Sequence, residues 1–192
     1  MKKLKVLLGA LSLLTVSATN ASTLVLDSFN YNPALNLTTN SGNTNASGSV
    51  TSAETGATAA YDLNYTSPDS GTAGASANVQ FESEGELSYA ENPGGDGTLE
   101  INYTLPGGGV LDFTGYSDFY FDVTFIDGSG GFDIVLTLTD GDGTTVSSTF
   151  NISTVGTFMT SLVGMSVGAA GTTAGFDFTQ VSSANAFISS DG

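Results

Sequence analysis

The sequence contains no Cys, no His, no Trp and no Arg, and its only cations are Lys2, Lys3 and Lys5. Without Cys there are no disulfides, thiol chemistry or Fe-S clusters, so the fold holds together by packing and hydrogen bonds alone. Without His, Ser-His-Asp triads, His-ligated zinc and imidazole bases drop out. Nucleic acid and anionic lipid surfaces require cations that displace counterions; beyond Lys5 the chain offers none, which excludes both partners on charge. Against the three lysines stand 19 acidic residues, a formal charge of -16 at pH 7. Carboxylates in such excess repel one another, keep the chain soluble and are relieved by salt.

The lysines precede an apolar run, Val6 to Val16, that is too short to span a bilayer as a helix and is followed by small residues. That order is the pattern of a secretory signal peptide over residues 1–21, cut after Ala21 with Thr19 at the -3 position, or alternatively after Ala18. The remaining 22–192 fit one exported domain at the cell surface or outside the cell.

Good helix formers are sparse in that remainder, while Gly, Ser, Thr, Asn and Asp separate short apolar runs of period two. The pattern predicts an all-β, antiparallel fold. Strands are expected at Thr23 to Phe29, Ala59 to Thr66, Asn78 to Phe81, Glu86 to Tyr89 and Thr98 to Leu105, with a polar region at about 30–56 forming either an irregular loop or two weak edge strands. Further on, Phe119, Phe121, Val123 and Phe125 alternate, as do Phe132, Ile134, Leu136 and Leu138, and then Val146, Ser148, Phe150 and Ile152. The Gly-rich reversals at 127–131 and 140–143 would join these three strands as a meander. Later strands are expected at Phe158 to Val163, Phe176 to Phe178 and Ala184 to Ile188.

The run Leu111-Asp112-Phe113-Thr114-Gly115-Tyr116, followed by Phe119-Tyr120-Phe121-Asp122-Val123, resembles a segment of galactose-binding-like jelly rolls, among them secreted carbohydrate-binding modules. Val135 to Gly143, Gly175 to Val181 and Leu24 to Phe29 are similar to further segments of those domains, in the same order. The resemblance implies an antiparallel β-sandwich of jelly-roll type, without catalytic activity, that binds a polysaccharide or other surface glycan. It also implies a structural Ca2+ near the opening strand, where Asp27 lies. The same pattern resembles exported bacterial proteins sorted by a PEP-CTERM tail, although the motif, apolar span and basic cluster of such a tail do not occur in this sequence. The resembling domains continue into a closing strand beside the opening one. The chain is therefore expected to be one strand short, with Leu24 and Leu26 on an open edge that invites self-association by strand addition.

The inward alternation of Phe119 to Phe125 sends Tyr120 and Asp122 outward, an aromatic ring beside a carboxylate suited to a sugar's face and hydroxyls. Tyr61, Tyr65, Tyr89, Tyr103 and Tyr116 are further stacking candidates, or core and rim residues. Asp140 and Asp142 could open a calcium loop, or simply form a hairpin turn, since the Glu that completes an EF-hand is missing. Glu82, Glu84 and Glu86 on one extended strand would stand about 7 Å apart, within the range of an inverting glycosidase's acid and base; the other reading is a solvated acidic edge. A structural or self-associating surface protein is the alternative to glycan binding, and would show an uncovered edge or apolar patch.

Overall fold

The computed structural model describes residues 9–14, 23–25, 29, 35–39, 44–52, 55–66, 77–82, 86–91, 96–123, 131–165 and 175–190. These form antiparallel sheets, the all-β sandwich expected from the sequence. The strands are β1 (Gly9–Leu14), β2 (Thr23–Val25), β3 (Asn36–Thr38), β4 (Asn45–Thr51), β5 (Thr58–Thr66), β6 (Ala77–Glu82) and β7 (Glu86–Glu91). They continue as β8 (Asp96–Thr104), β9 (Asp118–Val123), β10 (Phe132–Asp140), β11 (Thr145–Ile152), β12 (Gly156–Ser161) and β13 (Val181–Ser190). A six-stranded sheet runs β11-β10-β13-β8-β5-β4, a four-stranded sheet runs β12-β9-β1-β2, and a smaller one runs β3-β6-β7. Within the polar region the described residues include β3 and β4, each an edge strand of its sheet.

Period-two burial builds the core. On β10, Phe132, Ile134, Leu136 and Leu138 are buried, as are Leu99, Ile101 and Tyr103 on β8 and Tyr61, Leu63 and Tyr65 on β5. Between β10 and β8, the central strand β13 contributes the small Ala184 and Ala186. Ala186 lies in register with Leu136 and Ile101, and Ala184 with Leu138 and Tyr103, so small side chains leave room for large neighbours. The strand Gly9–Leu14 falls inside the segment read as an export leader; here it pairs with β9 on one side and β2 on the other. The cut positions Ala18 and Ala21, and Asp27, lie outside the described residues.

The three strands β9, β10 and β11 do not form one meander. β10 and β11 do form the second hairpin, from Phe132↔Ile152 to Thr139↔Thr145, but β9 belongs to the other sheet, paired with β12 and β1. Phe121 of β9 meets Phe150 of β11 edge-on at 5.0 Å across the core and stacks on Phe158 of β12 at 5.6 Å. Alternation specifies which face of a strand is buried; it does not specify the strand's neighbour. Two strands with inward phenylalanines can satisfy the same pattern side by side or face to face.

Two further expectations change. Phe176 to Phe178 is a turn and not a strand: Gly175 has φ +91°, and the Asp177 side chain accepts from the backbone N–H of Thr179 at 2.9 Å, a local bond that competes with a ladder. Glu82 and Glu86 are not on one strand. They pair in register across the β6–β7 hairpin, and Glu84 lies outside the described residues.

Candidate functional site

β9 presents Phe119, Phe121 and Val123 to the core, while Asp118, Tyr120 and Asp122 lie half-buried on the outward face. Their neighbours on β12 follow from the register: Ser161 beside Asp118, Met159 beside Tyr120 and Thr157 beside Asp122. Met159 is 57 % exposed. The Thr157 hydroxyl donates to Asp122 Oδ1, and the Ser117 hydroxyl to Asp118 Oδ2. The structure therefore brings Tyr120 and Asp122 together on one outward face and adds a thioether and a hydroxyl beside them. Met159 and Thr157 were readable only as part of a later strand, because their adjacency to Tyr120 and Asp122 is a long-range register.

The other tyrosines separate by burial. Tyr61, Tyr65, Tyr89 and Tyr103 are core residues. Tyr116 packs its ring edge-on against Phe113 at 6.2 Å and stays partly exposed. Among the described tyrosines only Tyr116 and Tyr120 offer ring surface to solvent.

Asp140 and Asp142 form a different arrangement. Asp140, 2 % exposed, accepts the Thr144 N–H at 2.8 Å and the Asp142 N–H at 3.3 Å on Oδ1, and the Asp177 N–H at 3.0 Å on Oδ2. It ties the β10–β11 turn to the 175–180 turn. Asp142 Oδ1 accepts from the N–H and hydroxyl of Thr144, at 3.1 and 2.9 Å. The same Asp-x-Thr unit recurs at Asp112–Thr114 and Asp177–Thr179, a spacing visible in the sequence. All three carboxyls are held below the usual range. Asp112 and Asp177 owe this first to the threonine hydroxyl two residues on and then to its N–H; Asp142 owes it first to hydrogen bonding with the Asp140 side chain and then to Thr144. Three backbone N–H groups thus converge on the Asp140 carboxylate, which locks the two turns together. Among the described residues no three acidic, His or Cys side chains are grouped to hold a metal.

A cavity of about 20 Å3, lined by Ala57, Tyr103, Leu105, Leu111, Phe113 and Val181 among others, is apolar and has room for one water-sized molecule but not a sugar ring. Among the described residues no helix is long and apolar enough to cross a membrane. Compared with known families, curated proteins and solved structures, the chain matches no family model, and no curated sequence or solved structure matches it significantly.

Proposed function

We propose that the chain is an exported, non-catalytic β-sandwich of jelly-roll type that binds a polysaccharide on the outward face of β9 and β12. The observation that carries this reading is the side-by-side placement of Tyr120 and Asp122 there, with Met159 and Thr157 in register beside them. The phenol ring and the thioether supply a flat, polarisable surface for a pyranose face, and Asp122 Oδ2 accepts from sugar hydroxyls while Thr157 holds Oδ1. With no cation beyond Lys5, an anionic glycan would be repelled, so the ligand is a neutral one.

The test is retention of the protein on an array of neutral glycans, comparing wild type with Tyr120→Ala/Asp122→Ala. Retention by the wild type and its loss in the double variant are expected, with the circular dichroism spectrum of the folded protein retained. Equal retention by both proteins, or none by the wild type, would remove the reading.

A further inference from the structure

β12 is the outermost strand of its sheet, with one side of its backbone paired to β9 and no described strand on the other. Protein edges of this kind are ordinarily blunted by Lys, Pro or an inward charge. The sequence of β12, Gly-Thr-Phe-Met-Thr-Ser, has none of these, and no charged residue occurs anywhere between Asp142 and Asp177. Large apolar side chains are exposed along and beside it: Val155 just before its start and Met159 at its middle, each 57 % exposed, and Val163 just past its end, 78 % exposed. Among the edge strands whose side chains are described, β3, β4 and β11 are also uncharged, but none carries an exposed large apolar side chain.

Charge selects the occupant. The rest of the chain is acidic, so two copies repel over most of their surfaces, and a basic partner finds no counter-charge along β12. An identical chain approaching edge to edge meets no carboxylate there. We propose that a second copy of this chain adds to β12 as an antiparallel strand about a two-fold axis through Met159.

The register follows from the pleat. Outward residues must oppose outward residues across the new pair, so Met159 faces Met159 of the second copy, Thr157 faces its Ser161, and Phe158 faces its Thr160. Asp122 then lies across from Asp118 of the second copy at three strand spacings, roughly 14 Å. That is beyond the screening length of about 8 Å at physiological ionic strength. Both Tyr120 faces come to lie on one side of the joined sheet. The pairing does not depend on glycan binding.

The experiment is sedimentation velocity of the purified protein across NaCl concentrations, with single substitutions. A dimer that strengthens with salt is expected. Met159→Lys, which places two ammonium groups opposite each other on the axis, should weaken dimerisation about tenfold or more with an unchanged circular dichroism spectrum. Because the chain has no Cys, Met159→Cys should yield a disulfide-linked dimer under mild oxidation. Thr157→Cys should not, since it faces position 161. A monomer at every salt concentration, an undiminished Met159→Lys dimer, or cross-linking of Thr157→Cys as efficient as that of Met159→Cys would overturn the proposal. Should Met159→Lys fail to fold, the two Cys variants decide.

Discussion

Among the described residues two buried hydroxyls, Tyr65 Oη and Ser88 Oγ, have no hydrogen-bond partner, and burying an unpaired hydroxyl costs free energy. Tyr65→Phe removes that cost while keeping the ring, so it should raise stability by about 1 kcal/mol, read as a rise in melting temperature. Asp140 is the opposite case. Its two oxygens take up three backbone N–H groups from two turns; Asp140→Ala takes that acceptor from the Asp142 and Asp177 N–H groups and leaves Thr144 only its bond to Asp142, at a cost of about 2 to 4 kcal/mol. Asp140→Asn keeps one oxygen and should fall between. Equal denaturant midpoints for the Ala variant and wild type would mean that the turns are held by something else. A third residue-scale constraint is Gly131, where an added Cβ would come within 2.7 Å of the Ile152 carbonyl oxygen; only glycine permits that approach of β10 to the end of β11.

At the scale of elements, the three Asp-x-Thr turns set an acid limit. Their carboxyls are depressed in the folded chain, so the stability they contribute is present above the ordinary carboxyl value near 4 and is lost as pH falls through the lower folded values. The melting temperature should accordingly fall below about pH 4, and replacing Asp112, Asp142 and Asp177 together by Asn should flatten that fall. An identical acid limb in the triple variant would locate acid sensitivity elsewhere. The elements also mark what the sequence could and could not reveal. The hairpin at Asp140 to Gly143 was legible because its turn chemistry is local, and the outward placement of Tyr120 and Asp122 because alternation is local. The separation of β9 from β10 into different sheets was not, since it depends on pairing with β12, more than thirty residues away. Phe176 to Phe178 read as a strand by its aromatics, while Asp177 between them was already making the turn.

For the whole molecule the dominant long-range effect is self-repulsion, because no cation follows Lys5. Screening acts on that repulsion directly, so the melting temperature at neutral pH should rise with NaCl, most steeply below about 0.1 M, where the screening length is about 10 Å or more. A flat response would show that the carboxylates lie too far apart to matter. On the proposed reading, the same acidity favours neutral ligands at the outward face of β9 and β12. The most direct test is titration of the isotope-labelled protein with the neutral glycan that it retains best, following amide chemical shifts. Shifts should concentrate at Asp118–Val123 and Gly156–Ser161 and saturate together; saturating shifts confined to other strands, or none at all, would contradict the assignment of the ligand face.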